Sequence, residues 1–270
     1  MTTEDKVFSG SIPEFYDTYL VPLIFEVYAD DLAARVASAA PMAVLETAAG
    51  SGVVPRALIN HLHPDARYVV TDLNQPMLDQ AARRQPPDKR IEWRQADALD
   101  LPFGDSSFDA VICQFGAMFF PDRAKGYAEA RRVLNDAGRY IFSVWDRIET
   151  NEFADVVTNA AATVFPHDPP RFLARTPHGY FDHGLIRADL TRAGFSDISI
   201  LRQQETSRAP SARQVAVAYC QGTPLRNEIE ARDRDALLRV TDIATDALEK
   251  HYGKGRIAAG ICAHIVTAVK

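Results

Sequence analysis

The chain has 270 residues, enough for one or two domains at roughly 150 residues each. Hydrophobic residues make up 47% and charged residues 24%, a composition typical of a globular protein with a large core. The formal net charge of −6 argues against a binder of the nucleic-acid backbone, because such proteins carry basic patches. No apolar run is long enough to span a bilayer, and the segment MTTEDKVFSG is too polar for a secretory signal. We therefore expect neither a nucleic-acid nor a membrane partner.

The three cysteines, Cys113, Cys220 and Cys262, are widely spaced and odd in number. This pattern does not favour a disulfide framework. Free cysteines are typical of a reducing compartment, so the expected location is the cytoplasm.

The first 40 residues are rich in aromatic side chains and predict a helical segment. Apolar residues recur at helical spacing, which predicts a helix from about Pro22 to Pro41. Two interpretations of the tyrosines stay open: Tyr16 and Tyr19 close over a ligand as a lid, or they hold an amphipathic helix against the domain. The aromatic residues of this segment are Phe8, Phe15, Tyr16, Tyr19, Phe25 and Tyr28.

From Met42 onward, short apolar runs alternate with helical stretches. Unbroken apolar strands that alternate with helices indicate a parallel sheet covered on both faces. The predicted strands are Met42–Leu45, Tyr68–Thr71, Ile91–Arg94, Phe108–Cys113 and, behind the turn Asp136-Ala137-Gly138, Arg139–Trp145. The predicted helices between them end near Leu62 or cover Gln75–Arg84 and Ala124–Leu134.

Residues 147–180 are less regular, since Pro166, Pro169 and Pro170 break a helix that begins near Asn151. Ala258–Val269 fits either a strand or a helix on periodicity alone. The other predicted elements are a helix over about Leu185–Ala193, a strand that begins at Ile198, and helical stretches over roughly 211–250.

Polar residues follow the strand ends, where open parallel sheets bind their ligands. Gly50 and Gly52 form a tight loop after the first strand, so the backbone can approach a ligand closely. Asp72 follows roughly 20 residues later, where an acid binds both hydroxyls of a ribose. With Glu46 and Asp97, each of three successive strand ends carries an acid. The pattern indicates a ligand with a ribose, an adenine-like edge and a cationic end. Little phosphate is expected, because the loop lacks the lysine of a phosphate cradle.

Four motifs between about Met42 and Trp145 together resemble one family. They are Val-Leu-Glu-Thr-Ala-Ala-Gly-Ser-Gly over residues 44–52, Thr71-Asp72-Leu73-Asn74 with Met77-Leu78, Asp97–Phe103, and Asp105–Asp109. This set resembles the class I S-adenosylmethionine-dependent methyltransferases, in particular the small-molecule group related to ubiquinone and menaquinone biosynthesis methyltransferases. One position departs from the family pattern, because Ala48 stands where the loop's first glycine is usual.

The resemblance implies an α/β fold with a doubly wound, mostly parallel seven-stranded sheet, the Rossmann-like methyltransferase fold, with helical N-terminal and inserted cap segments. It implies that Ala258–Val269 is the antiparallel last strand. A single methyltransferase domain is expected over residues 1–270. Its expected parts are a helical N-terminal cap over 1–40, a cofactor-binding core over 41–146, a variable acceptor-side segment over 147–190, and sheet completion with helices over 191–270.

The cofactor implied by the resemblance is S-adenosylmethionine, with S-adenosylhomocysteine as the product. Each strand end would then hold a different part of the cofactor. By resemblance, the loop residues Thr47, Ala48, Gly50 and Gly52 face the methionine part, and Glu46 is oriented toward its ammonium. Asp72 holds the ribose, Leu73 and Met77 flank the adenine, and Asp97 and Ala98 bind the edge of the adenine. Gln114 and Phe115 lie beneath the sulfonium, and Tyr19 is a further cofactor contact. Each of these residues also has a purely structural interpretation, as a cap, a turn or a core side chain.

The sequence does not identify a catalytic residue. His178 and His183, with Tyr180, lie in the irregular segment, and either histidine could act as a general base, as could Tyr16. Each alone is better explained as a loop or surface residue. His61 and His63 lack partners at metal-ligand spacing, so no metal site is expected.

The predicted function is transfer of a methyl group from S-adenosylmethionine to a small-molecule acceptor whose nucleophile is O, N or C. One alternative is an NAD(P)-dependent oxidoreductase on a Rossmann fold, although Pro55 occupies the position of that fingerprint's third glycine. The other is a catalytically silent homologue that binds the cofactor. The chain is expected to be a monomer or a homodimer.

Overall fold

The computed structural model describes residues 12–270, and it contains one seven-stranded sheet and a set of helices. The strands are β1 Ala43–Glu46, β2 Arg67–Asp72, β3 Ile91–Gln95, β4 Phe108–Gln114, β5 Leu134–Trp145, β6 Asp197–Ala209 and β7 Ile257–Val269. The helices are α1 Ile12–Phe15, α2 Glu26–Ala37, α3 Val53–Leu58, α4 Gln75–Arg84, α5 Arg123–Val133, α6 Glu152–Val164, α7 Phe172–Arg175, α8 His183–Arg192, α9 Ala212–Gln221, α10 Leu225–Arg232 and α11 Ala236–Tyr252. A π-helical segment covers Tyr16–Phe25, and short 3₁₀ turns cover Ile59–His61, Ala117–Phe119 and Ile148–Thr150.

The sheet has the strand order β3-β2-β1-β4-β5-β7-β6. Its first five strands pair in parallel, with Glu46 opposite both Val70 and Ile112. Two backbone hydrogen bonds define the direction of β7, one from Asp146 N to Cys262 O and one from Lys270 N to Gly138 O. Residue numbers therefore rise along β7 as they fall along β5, so the two strands are antiparallel. The predicted mostly parallel seven-stranded sheet is confirmed, as is the last strand.

Apolar burial explains why these segments form central strands. The side chains of β1 and β4 are almost all inaccessible to solvent, as expected for parallel strands with helices on the sheet faces. In β5 the residues from Tyr140 to Trp145 are all buried. The short parallel strands therefore end together at one edge of the sheet, where the loops that follow β1, β2, β3 and β4 begin.

Two elements differ from the sequence prediction. The N-terminal helical region starts well before Pro22, because Leu20 and Val21 are buried along with the residues that follow the proline. It ends at Ala37 rather than at Pro41, since Ala40 has a left-handed φ of 47° and a residue preceding proline is disfavoured in a helix.

The start of β5 also differs from the prediction. The strand begins at Leu134 and contains the predicted turn as a bulge. Its register with β4 jumps from Phe108 opposite Leu134 to Ala110 opposite Arg139, and Ala137 takes the left-handed φ of 61° that this bulge needs.

Contacts divide the described chain into two compact units. One contains residues 12–25, 145–179 and 204–262, and the other contains residues 26–144, 180–203 and 263–270. In the first, α11 packs against α6 and α9; in the second, α2 packs against α3 and α5 against α8. These units do not coincide with the four segments expected from the sequence, and the single-domain assignment stays a prediction.

Candidate functional site

The loop after β1 carries a run of left-handed residues at the predicted site. Ala48, Gly50 and Gly52 have φ values of 53°, 57° and 80°. A Cβ on Gly52 would lie 2.7 Å from Cβ of Ala81 in α4, so glycine is required there for close packing as well as for conformation. Two backbone bonds hold the loop to the sheet, from Thr47 N to Ile112 O at 2.9 Å and from Ala49 N to Thr71 O at 2.9 Å.

Ala48 has a left-handed backbone conformation, which favours the glycine that is usual at this position of the loop. Its methyl group lies against Gly116, where an added Cβ would be only 2.4 Å from Cβ of Ala48 and 2.8 Å from Sγ of Cys113. The missing side chain at Gly116 therefore provides the space that the extra methyl of Ala48 needs. Sequence reasoning did not predict that Gly116 and Cys113 pack against the loop, because this contact is not visible in sequence spacing.

Asp72 lies at the carboxyl end of β2, as predicted, and is buried. Its Oδ2 accepts a hydrogen bond from Gly50 N at 2.8 Å, and its Oδ1 accepts one from Asn74 N at 2.8 Å. Burial raises the pKa of this carboxyl above its usual value, while the amide donors act in the opposite direction. The bond to Gly50 joins the ribose-binding candidate directly to the glycine loop.

Glu46, at the end of β1, is 1% exposed. Its Oε2 accepts a hydrogen bond from the Tyr68 hydroxyl, whereas its Oε1 has no hydrogen-bond partner among the described residues. Burial raises the pKa of this carboxyl to about 8, and the nearby carboxyl of Asp72 adds to the increase. Sequence reasoning missed Tyr68, although Tyr68, Val70 and Asp72 alternate along β2 and therefore share a face.

The adenine-side candidates are more open. Asp97 is exposed after β3, and its Oδ1 accepts a hydrogen bond from Leu99 N at 2.9 Å. Leu73 is 45% exposed beside the buried Asp72. Met77 is buried, and its terminal methyl lies 3.7 Å from the Cβ position of Gly50. Ala98 is half-buried directly after Asp97.

Gln114 ends β4, Phe115 follows it directly, and both are buried. Phe115 has a left-handed φ of 53°, and its backbone N–H donates to the carbonyl of Ser143 at 3.1 Å. The Phe115 ring meets the edge of Tyr28, with 5.4 Å between ring centroids. The structure thus brings Glu46, the loop, Asp72 and the end of β4 together within one compact unit.

The catalytic candidates are dispersed. His178 is buried in the other unit, where its Nδ1 lies 2.9 Å from the carbonyl of Asp146, and burial lowers its pKa to about 4. His183 is exposed, and its Nε2 lies 3.0 Å from Nδ1 of the buried His264. Tyr180 donates to Asp189 at 2.9 Å, while Tyr16 stacks on Phe25. None of these contacts identifies a general base.

Neither a metal cluster nor a membrane span is found in the described part of the chain. Within residues 12–270, no group of three or more His, Cys, Asp or Glu side chains is arranged to hold a metal ion. In that same range, no helix combines the length and the apolar character needed to cross a membrane.

Residues 45–142, which include every element of this site from the end of β1 to β5, match a family model described as a methyltransferase domain. Over these residues the chain is similar to that methyltransferase domain. The predicted resemblance to class I S-adenosylmethionine-dependent methyltransferases of the quinone-biosynthesis group is thereby confirmed.

Relatives of known description agree with this methyltransferase domain. A demethylmenaquinone methyltransferase of Clavibacter sepedonicus is 41% identical over 106 residues, which is 39% of this chain and 42% of that protein. A malonyl-[acyl-carrier protein] O-methyltransferase of Geobacter sulfurreducens is 28% identical over 63% of this chain and 61% of that protein. The chain thus matches about two fifths to three fifths of the length of these relatives.

The fold of the methyltransferase domain recurs in solved structures. The YcgJ protein from Bacillus subtilis superposes with a TM-score of 0.58 at 18% identity, over 90% of this chain and 98% of that one. Similarity at this level of identity establishes the fold alone. It confirms the predicted Rossmann-like architecture.

The residues at the strand ends fit S-adenosylmethionine, the cofactor that the resemblance implies. The unpartnered oxygen of Glu46 suits an ammonium group, and Asp72 keeps carboxylate lone pairs for hydroxyl donors. Leu73 offers an apolar surface for a purine ring. The oxidoreductase alternative is not favoured by the comparisons, and Pro55 lies in α3, where that fingerprint would need glycine.

Proposed function

We propose that the chain is an enzyme that transfers a methyl group from S-adenosylmethionine to a small-molecule acceptor with an O, N or C nucleophile, releasing S-adenosylhomocysteine. The observation that carries this proposal is a pair of buried acids, Glu46 and Asp72, at the ends of two neighbouring strands. Asp72 is also bonded to the glycine loop, because its carboxylate accepts a hydrogen bond from Gly50 N. This arrangement suits a ligand that has a ribose at one end and an ammonium at the other.

The proposed contacts divide the cofactor among the strand ends. Asp72 accepts hydrogen bonds from the ribose hydroxyls, and Glu46 accepts one from the ammonium. The remaining proposed contacts are Thr47, Ala48, Gly50 and Gly52 along the methionine part, Leu73, Met77, Asp97 and Ala98 around the adenine, and Gln114, Phe115 and Tyr19 near the sulfonium.

When bound, S-adenosylmethionine supplies an electrophilic methyl group on a sulfonium ion. The contribution of the chain is to fix that group in line with the acceptor, since alignment alone supplies much of the rate enhancement of a transfer between two bound molecules. Aromatic faces such as that of Phe115 favour a cation. An oxygen or carbon acceptor also needs a proton acceptor, for which His178, His183 and Tyr16 stay the proposed residues.

The hydrogen bond of His178 defines which of its ring nitrogens can accept a proton. The carbonyl of Asp146 can only accept a hydrogen bond, so Nδ1 of His178 carries the proton and Nε2 keeps a lone pair. With its pKa near 4, the ring is neutral at pH 7, and the burial that disfavours its charged form makes it a weak base. A silent homologue would keep the cofactor contacts without such an acceptor.

Ligand-induced stabilisation tests the cofactor site. S-Adenosylhomocysteine or S-adenosylmethionine at about 100 times its dissociation constant is expected to raise the melting temperature by on the order of 5 °C, whereas NADH leaves it unchanged. Differential scanning fluorimetry measures the shift. Asp72→Ala is expected to abolish it, because the ribose hydroxyls lose their acceptor.

Asp30→Ala is the matched control, because Asp30 is an exposed acid on α2 in the same unit. It is expected to keep the full shift. A full shift in the Asp72→Ala protein would rule out the ribose contact, and stabilisation by NADH alone would favour the oxidoreductase alternative.

Methyl transfer itself needs a second experiment. The protein is incubated with S-adenosylmethionine labelled in the methyl group and a panel of phenols, amines and quinol precursors, and products are detected by mass spectrometry. A labelled product that the Asp72→Ala protein does not form supports the enzyme. Binding without any labelled product across the panel, and without a copurified acceptor, would favour the silent homologue.

The cytoplasmic location, the monomeric or dimeric state and the absence of nucleic-acid, membrane and metal partners stay predictions.

A further inference from the structure

The two oxygens of the Glu46 carboxyl group have different surroundings. The hydroxyl of Tyr68 donates to Oε2, while Oε1 is shielded from solvent and accepts no hydrogen bond from the described residues. An ionised carboxylate without solvent or a cation is costly in a protein interior. The lower-energy form of this group in the absence of a ligand is therefore the neutral acid, with its proton on Oε1, because Oε2 is already an acceptor.

The ionisable groups around Glu46 do not change this conclusion. On β2, Tyr68 is a neutral donor, and Asp72 opposes a second negative charge. On β4, the buried thiol of Cys113 is neutral at pH 7, with a pKa of about 11. On α3, the Arg56 guanidinium favours ionisation of Glu46 but ranks below burial among the causes, and its Nη1 donates to the carbonyl of Ser51 at 2.8 Å. No ion pair to Glu46 exists among the described residues.

We propose that Glu46 is a proton-exchanging ligand for the amino end of the cofactor, and that Tyr68 is the positioning residue that leaves only Oε1 for this exchange. The inference rests on the proposed function. On binding, the O–H bond at Oε1 breaks and its proton goes to the buffer. The resulting carboxylate accepts an N–H bond from the ligand ammonium, which keeps its own protons.

This exchange couples cofactor affinity to pH. Binding releases a proton, so affinity for S-adenosylhomocysteine rises about tenfold per pH unit between pH 6 and 7.5 and levels off as the pH passes the Glu46 pKa of about 8. S-Adenosylhomocysteine is the appropriate probe because its thioether is uncharged, which leaves the ammonium as its only cation. 5′-Methylthioadenosine shares the nucleoside but has no amino group, so its affinity does not follow this profile.

Isothermal titration calorimetry at pH 7, in two buffers of different ionisation enthalpy, counts the protons. About one proton is expected to leave per S-adenosylhomocysteine bound to the unchanged protein, and none per methylthioadenosine. Any proton that Asp72 releases would appear with both ligands. Glu46→Gln is expected to bind S-adenosylhomocysteine without proton release, and its affinity keeps only the pH dependence of the ligand's own amino group.

Tyr68→Phe tests the positioning role. Without the phenol donor the neutral acid is favoured further, so the rise in S-adenosylhomocysteine affinity moves to higher pH while methylthioadenosine binding stays unchanged. Equal weakening of both ligands at every pH would show that Tyr68 is only structural and would overturn its part of the inference.

The remaining outcomes separate the two proposals. If both ligands bind the unchanged protein and neither releases a proton, the proton exchange is wrong and the proposed function stands. If neither ligand binds, both proposals fail. Because the count on the unchanged protein needs no variant, the test does not depend on the folding of Glu46→Gln.

Discussion

At the scale of single residues, the three acids at the strand ends have different environments. Glu46 is buried with a pKa of about 8, Asp72 is buried but bonded to two backbone amides, and Asp97 is exposed. Solvation and hydrogen bonding, rather than the type of side chain, set these differences. Because the pKa of Glu46 lies near neutrality, its protonation is the property most directly tied to ligand binding.

His178 gives a residue-scale prediction for stability at acid pH. Its native pKa of about 4 lies below the ordinary histidine value of 6.5, so the unfolded chain binds more protons between these values. The stabilisation is complete above pH 6.5 and is lost as pH falls toward 4, by up to about 3 kcal/mol. Urea denaturation from pH 7 to pH 4 measures the loss.

His178→Asn is the comparison, because an asparagine amide can still donate to the Asp146 carbonyl but does not titrate. Its free energy of unfolding is expected to fall less steeply over the same pH range. The raised native pKa of Glu46 has the opposite effect, since it increases the free energy of unfolding as the pH falls. This effect is the same in the unchanged protein and in the His178→Asn variant. Parallel pH profiles for the two proteins would contradict the assignment.

At the scale of elements, the loop after β1 and the turn after β4 are built as a pair. Ala48 adds a methyl group where the family has hydrogen, and Gly116 leaves the space for it. Gly116→Ala is expected to lower the free energy of unfolding by about 1–3 kcal/mol and to weaken S-adenosylhomocysteine binding, because overpacking displaces the loop. Denaturant unfolding and calorimetry measure the two effects.

The double variant Ala48→Gly/Gly116→Ala is expected to recover part of this loss. It removes the 2.4 Å contact between the two Cβ positions but keeps the 2.8 Å contact with Cys113. Gly104→Ala is the control, since its Cβ would meet only the Ser107 hydroxyl, at 3.5 Å. No recovery in the double variant would mean that the two elements do not fit together as described.

At the scale of the whole molecule, the cysteines report on opening of each compact unit. Cys113 lies in the unit of the methyltransferase site, and Cys220 and Cys262 lie in the other; all three are buried. Burial raises the pKa of Cys113 to about 11 and that of Cys220 to about 12, so the native thiols are weak nucleophiles. Alkylation therefore requires opening of the structure.

S-Adenosylhomocysteine at about 100 times its dissociation constant is expected to slow alkylation of Cys113 about 100-fold, provided that the opening destroys the site. Mass spectrometry of the alkylated peptides gives the rate at each cysteine, and the rate at Cys220 is the internal reference for the other unit. Rapid labelling of Cys113 in the native protein, with or without ligand, would contradict the buried position of its thiol.

Local sequence was enough to predict most strands and the positions of the acids. The apolar runs of β1, β2 and β4 and the glycine loop are local patterns, and the ends of parallel strands necessarily meet at one edge of a sheet. Periodicity failed where packing decides the outcome. The helical region that contains Pro22 starts earlier than predicted, and the turn at Asp136–Gly138 is a bulge inside β5, because burial outweighs local breaker signals.

The sequence by itself determined the fold class, the resemblance to a methyltransferase family and the order of polar residues along the edge of the sheet, since these depend on hydrophobic pattern and short motifs. Only the tertiary structure decided which oxygen of Glu46 is bonded, that Tyr68 bonds it, and that Gly116 accommodates Ala48. The physical reason is that protonation and close packing depend on neighbours distant in sequence. Tyr68 is 22 residues from Glu46, and the hydrogen bond between them forms only because β1 and β2 pair in one register.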